Sequence, residues 1–257
     1  MNPEALSLDL LGPAMIAGLL VLATHVPLGQ QVLQRGIVFI DLAVAQVAAL
    51  GLLAADLMGW EPQGWQMQVV ATGAALSAAL VLTWMEKHWP EVQEALIGAM
   101  FVLAASAALM LLAHNPHGGE HLQDVLAGQI LWVTWRDLVP LAVITVILCI
   151  AWFRYRQALG NTGFYIVFAI AVTASVQLVG VYLVFSSLIL PALAVRNREP
   201  QHRLRTAWMI GSAAYLAGLA ASALFDLPSG AVIVWTLALF GLAANRLRRY
   251  DWRLDKT

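Results

Sequence analysis

Charge is scarce in this chain. Its 14 Lys and Arg and 15 Asp and Glu make up 11% of 257 residues, against 61% apolar residues. Soluble domains carry about 25% charged residues, so a water-surrounded globule of this length is excluded and a polytopic membrane protein is indicated. Cysteine is nearly absent: Cys149 stands alone in an apolar run, which rules out an intramolecular disulfide and argues for a core filler. The chain lacks a G-x-x-x-x-G-K-[ST] phosphate loop, so any ATP-derived energy has to come from another subunit. It also lacks H-E-x-x-H and G-x-S-x-G, which leaves an intramembrane hydrolase without its motifs. With no long linker, low-complexity tract or soluble-sized segment, residues 1–257 are expected to form a single transmembrane domain.

What the chain has instead is a succession of long apolar runs with short polar gaps. A bilayer core about 30 Å thick requires about 20 apolar residues per helix. The runs predict an all-α, polytopic transmembrane helical bundle of about eight or nine spans, at 11–28, 37–57, 67–85, 95–113, 138–153, 163–177, 179–195, 207–225 and 230–245. The sixth and seventh are separated by the shortest gap. Glu4 and Asp9 precede the first run where a secretory signal would carry basic residues, so a retained span is expected there.

The near-neutral total of −1 conceals a division between alternate loops. Arg35, Lys87, Arg154, Arg156, Arg196, Arg198, Arg203, Arg205, Arg246, Arg248, Arg249, Arg253 and Lys256 fall on one side, and only Arg136 on the other. Cytoplasmic loops concentrate Lys and Arg, which puts the N-terminus outside and the C-terminus in the cytoplasm. That orientation requires an odd number of crossings and favours nine. The basic tail from Arg246, interleaved with Tyr250 and Trp252, reads as a membrane-surface anchor and is too short for a nucleic-acid role.

Asp41 lies deep in an apolar stretch, where a carboxylate is costly unless it faces a bundle interior, water or a cation. Two roles fit it: a translocation pathway, or a structural pair with Arg35. Gln46 is a second pathway candidate, although five residues carry it about 140° around a helix from Asp41. In the outer loop after the fourth span, His114, His117, Glu120 and His121 combine imidazole and carboxylate, the ligand set of zinc and related metals. Pro116 and Gly118-Gly119 would let that loop fold upon itself, and a plain solvated loop remains the alternative. The run Val125 to Trp132 is too short to span and suits a re-entrant or interfacial helix. His25 in the first span is either a packing residue with a partner or a ligand. Gln177, just before the Gly180 break, is either a pathway amide or an interhelical hydrogen-bonding group.

The run from Val179 to Val195 breaks abruptly into Arg196-Asn197-Arg198-Glu199-Pro200-Gln201-His202-Arg203-Leu204-Arg205. Val179-Gly180, Leu188-Ile189-Leu190-Pro191-Ala192 and Ala194-Val195-Arg196 resemble the pattern V-G-x-L-L-V-x-x-L-L-I-x-P-A-A-x-A-R of permeases in the zinc/manganese/iron class of ABC importers. Phe225-Asp226-Leu227-Pro228-Ser229-Gly230 resembles that family's Y-D-x-P-x-G turn. Arg35 to Gly51 is similar to its R-R-x-x-x-x-G-D-x-x-x-H-A-x-x-x-G segment. The resemblance covers about four-fifths of the chain and implies the permease of a divalent-metal importer, zinc foremost, with manganese or iron as alternatives. It implies two copies forming the pore, a separate ABC ATPase beneath, an extracytoplasmic metal-binding protein above, and metal as substrate rather than permanent cofactor. Arg196, Arg198, Arg203 and Arg205 would then form the segment coupled to the ATPase. One departure concerns the metal: the family's His four residues after the Asp is Ala45 here, and Gln46 is one position further on. A secondary transporter driven by an ion gradient would also use Asp41, but the inverted repeats that would favour it are not visible.

Overall fold

A computed structural model describes residues 8–58, 65–112, 128 and 130–254. Among these residues the chain forms only helices: α1 (Leu8–Arg35), α2 (Ile40–Leu57), α3 (Trp65–His88), α4 (Gln93–Leu112), α5 (Trp135–Val179), α6 (Val181–Ala194), α7 (Pro200–Phe225) and α8 (Ser229–Leu254), with single 3-10 turns at Pro90–Val92 and Ile130–Trp132. α5 bends at Gly160, which divides it into two limbs, 135–159 and 161–179. That gives nine apolar rods, six of them long and apolar enough to cross a membrane and three shorter (Ile40–Ala55, Val181–Ala194 and Ser229–Ala244). Each of the nine expected spans coincides with one rod.

Helix ends lie further out than the apolar runs alone suggest, because polar residues at a membrane face continue the helical hydrogen-bond ladder without adding hydropathy. The eighth span begins at Pro200 instead of 207, with Pro in the first turn, where its missing N–H costs nothing. The ninth continues to Leu254. The two breaks around the second limb of α5 both fall at glycine. Gly160 has φ 57° and Gly180 has φ 82°, conformations that a side chain resists. Thr134 opens α5 with a capping box, its N–H and Oγ1 both donating to Asp137 Oδ2 at 2.9 and 2.7 Å.

The rods pack as two groups. α2 lies against α3 and α4, while α1 lies against α6 and α7, with α8 packed on α6 and α7. α5 touches α1, α2 and α3 and so joins the groups, and a single cluster of buried apolar side chains runs through both. Of the six long rods, α1 and the second limb of α5 are the most enclosed, and α4 and the first limb of α5 turn most of their surface outward; the short α6 is also mostly buried. Exposed tryptophans sit at both ends, Trp84 and Trp89 by the end of α3, and Trp132 and Trp135 at the opposite end, as expected at two headgroup layers.

Pro27 in α1 shows how the bundle repairs its own breaks. Proline removes the hydrogen bond to the carbonyl four residues back, Ala23. The Cys149 thiol of α5 reaches that oxygen at 3.9 Å, so this half-buried cysteine does more than fill space. At the neighbouring carbonyl, Trp208 Nε1 of α7 donates to Leu22 O at 3.0 Å.

Candidate functional site: a polar inner end and a cleft on α2

The end of the bundle where α1 and α3 finish and α2 and α4 begin carries a network of polar side chains. Arg35 Nη1 lies 3.3 Å from Glu86 Oε1, and its Nη2 donates to Asn161 Oδ1 at 3.0 Å. Asn161 Nδ2 closes the triangle on Glu86 Oε1 at 3.0 Å. The guanidinium also sits 4.3 Å above the Phe164 ring, a cation–π contact. Nearby elements add Gln93 Nε2 donating to Tyr165 Oη at 2.7 Å and the Phe39 N–H donating to Glu94 Oε1 at 3.2 Å. This network corrects one expectation: Arg35 at the end of α1 is committed to Glu86, Asn161 and Phe164, and does not pair with Asp41.

Asp41 itself is completely buried in the first turn of α2, and neither carboxylate oxygen has a hydrogen-bond partner among the described residues. Carboxylates in a first turn are favoured by the helix N-terminus, which partly accounts for its place. The helix turns Asp41, Ala45 and Ala48 inward, all of them buried. Leu42 and Gln46, one turn apart on a different face, line a cavity of about 240 Å³ between α2, α4 and the start of α6. Phe101, Ala105 and Leu109 of α4 and Val181 and Tyr182 of α6 form its other walls, and the half-exposed Tyr182 and Leu109 mark its mouth. Asp41 and Gln46 are thus divided between core and cleft.

Gln177 is exposed in the last turn of α5 and accepts a hydrogen bond from Gln68 Nε2 of α3. α2 and the second limb of α5 run in the same direction, so Gln177 and Asp41 stand at opposite ends. His25 is fully buried in α1; its Nδ1 lies 2.9 Å from Val21 O and 3.0 Å from Thr24 Oγ1, while its Nε2 has no partner among the described residues. The Nδ1 contacts fit the packing role with a partner. His114, His117, Glu120 and His121 lie outside the described residues, and among the described residues no three His, Cys, Asp or Glu side chains gather closely enough to hold a metal.

Between α6 and α7 the basic segment folds into a tight, anchored turn. Val195 is buried, Arg198 N–H donates to Val195 O at 2.9 Å, and Arg203 Nε donates to Arg198 O at 2.7 Å. Arg196 and Arg205 project outward, and Arg203 and Arg205 belong to the opening turns of α7. Two groups escape a reading of the sequence alone. Asn161 is signalled only by the Gly160-Asn161 pair in the gap between two apolar runs, and Tyr182 only as a hydroxyl in an otherwise apolar helix start.

Nine apolar rods between two tryptophan layers, with polar groups gathered at one end, define a multi-pass membrane protein. The chain belongs to the ABC 3 transport family, whose model matches residues 7–164 and 155–247. The manganese transport system membrane protein MntC of Halalkalibacterium halodurans is 27% identical over 263 residues, covering 93% of this chain and 88% of the relative. The high-affinity zinc uptake system membrane protein ZnuB of Haemophilus influenzae is 21% identical over 263 residues, covering 94% and 99%. The fold resembles a chain of the structure of PsaBC from Streptococcus pneumoniae in complex with Fab, with a TM-score of 0.74, 19% identity and coverage of 94% of this chain and 92% of that one.

Proposed function

We propose that the chain is the permease subunit of an ATP-driven importer of divalent metal ions, zinc or manganese foremost. It works as a homodimer with a separate ABC ATPase and an extracytoplasmic metal-binding protein. The observation that carries this reading is the family match across nearly the whole chain, from residue 7 to residue 247. Relatives named for manganese and for zinc support a metal cargo and leave both ions in play. The N-terminus faces outward and the C-terminus the cytoplasm, an orientation supported by the gathering of Arg35, Lys87 and the Arg196 to Arg205 turn at helix ends on one side of the bundle.

In this reading the turn at Arg196, Arg198, Arg203 and Arg205 is the coupling element. Its anchoring through Val195 makes it stiff, so a push from the ATPase is passed to α6 and α7 rather than absorbed. Asp41, Gln46 and Gln177 are pathway groups at inner, middle and outer depth, and His114, His117, Glu120 and His121 are outer metal contacts. The deciding experiment is co-expression with candidate ATPase and binding-protein subunits, followed by ATPase assays in lipid with metal-loaded binding protein. A stable complex whose ATPase responds to one or more metals is expected; no complex and no response to any metal would sink the reading.

A further inference from the structure

Beside α2, the helices α3 and α4 leave an open seam: each packs closely on α2, but they touch one another little. The seam is a groove of about 440 Å³, with Val47 and Leu50 of α2 as its floor and Val81 and Met85 of α3 and Leu96 and Leu103 of α4 among its walls. Every side chain lining it is apolar, so neither water nor a metal ion suits it. It occupies one half of the bundle. Met85 lies three residues from the end of α3 and Leu96 three residues from the start of α4, and at 1.5 Å per residue Leu103 is about 10 Å deeper. Half of a hydrocarbon core is about 15 Å, so the groove matches the depth of a single leaflet.

Three aromatic rings stand at its shallow end. Trp89 follows Met85 by four residues and His88 follows Val81 by seven, spacings that keep them on the face of α3 that borders the groove. The Trp89 N–H donates to Met85 O at 2.8 Å and so continues the helical turn. Trp84 packs on both neighbours, its ring centroid 5.0 Å from His88 and, edge to face, 4.8 Å from Trp89. Lys87 and Glu91 flank these rings, both exposed and neither in an ion pair among the described residues.

We propose that this groove holds one phospholipid of the adjoining leaflet with a zwitterionic, phosphate-and-ammonium headgroup. An acyl chain fills the seam between α3 and α4, the phosphate meets Lys87, and the ammonium meets Glu91 and the half-exposed faces of Trp84 and Trp89. Chain burial alone retains no particular lipid, because bulk hydrocarbon is as apolar as the groove, so the choice falls to the headgroup. Indole faces attract an ammonium. Lys87 and Glu91 oppose each other in charge, so a purely anionic headgroup loses beside Glu91 what it gains beside Lys87. The bound lipid closes the seam next to Glu86 and supports the Arg35 network from the membrane side. This role is separate from the cargo and stands whichever metal the chain carries.

Native mass spectrometry of the full chain tests the proposal, after delipidation in mild detergent and re-addition of phosphatidylethanolamine or phosphatidylglycerol with identical chains. One phosphatidylethanolamine held per chain is expected, favoured about threefold over phosphatidylglycerol, the scale of an exposed cation–π contact. Ala99→Phe, on an exposed wall of the groove, should fill it and remove that lipid, and Glu91→Lys should turn the preference toward phosphatidylglycerol. Equal retention of the two lipids by the wild type, undiminished retention by Ala99→Phe, or an unmoved preference in Glu91→Lys overturns the proposal. A wild-type dimer that is lost in Ala99→Phe while the lipid stays puts a second copy in the groove and overturns it too. Melting temperatures give an independent reading: added phosphatidylethanolamine should raise that of the wild type only, and an equal rise in Ala99→Phe overturns the proposal even if Glu91→Lys fails to fold.

Discussion

Arg35 is held from three sides, by a carboxylate, an amide and an aromatic face, and each asks for a planar guanidinium rather than a point charge. Arg35→Lys keeps the charge but loses the fork and the stacking. It is expected to lower the thermal stability of the detergent-solubilised protein by about 1–2 kcal/mol, within the range of partly exposed ion pairs and hydrogen bonds. Glu86→Gln, which still accepts from Arg35 and Asn161, should cost less; equal melting temperatures for Arg35→Lys and wild type would show that the triangle carries no weight. Asp41 poses the opposite case, a buried carboxylate without partners. Asp41→Asn is nearly the same shape and removes the capacity to ionise, so stability is expected to hold or rise while metal uptake falls by about tenfold or more, as when an ionisable group on a pathway is lost. Unchanged uptake would return Asp41 to a purely structural role. These residue-level assignments could be read only in part from the sequence. A buried acid stands out in an apolar run, but that Arg35 answers to Glu86 and Asn161 depends on which helices meet, and Glu86 and Asn161 lie 51 and 126 residues away.

Among the helices, the tightest seam is between α1 and α6. A Cβ placed on Gly29 would lie 1.9 Å from the Leu188 carbonyl oxygen, on backbone that cannot swing aside. Gly29→Ala is therefore expected to destabilise the protein by about 1–3 kcal/mol, the usual cost of overpacking. Gly73→Ala on α3, where nothing lies within 4 Å, should instead gain up to about 1 kcal/mol of helix propensity. Fluorescence-detected melts of the two variants check the pair, and a stabilising Gly29→Ala would mean the helices do not meet as described. The turn between α6 and α7 makes a functional counterpart. Arg203→Glu with Arg205→Glu should leave membrane insertion intact and separate ATP hydrolysis from metal uptake; transport at the wild-type rate would count against coupling through this turn. Span positions are legible in the sequence because a bilayer imposes a length on every run. Helix ends are less so, since α7 starts at Pro200, well before its apolar stretch, and hydropathy registers only the part in hydrocarbon. The facing of α2 is hidden for another reason: Leu42 and Gln46 line a cleft only because α4 and α6 leave one there.

For the molecule as a whole, orientation is the property most open to a direct check. Trp132 and Gln201 are both exposed and stand at opposite ends of the bundle. With Cys149→Ser as background, a membrane-impermeant thiol reagent added to intact cells should modify Trp132→Cys and spare Gln201→Cys; the reverse pattern would invert the topology. Serine suits that background because its hydroxyl can still meet the Ala23 carbonyl that Pro27 leaves free, whereas alanine cannot. The division into two helix groups also has a consequence in time. α1 leaves the ribosome first, but its nearest large partner, α5, begins about 100 residues later, and α6 and α7 follow later still. At about 5–20 residues per second, α1 waits at least ~5 s in the membrane with Thr24 and His25 uncovered before the helices that bury them are made. The last helices synthesised are thus needed to house the first, and a chain halted before α6 would leave its opening segment without a place to settle.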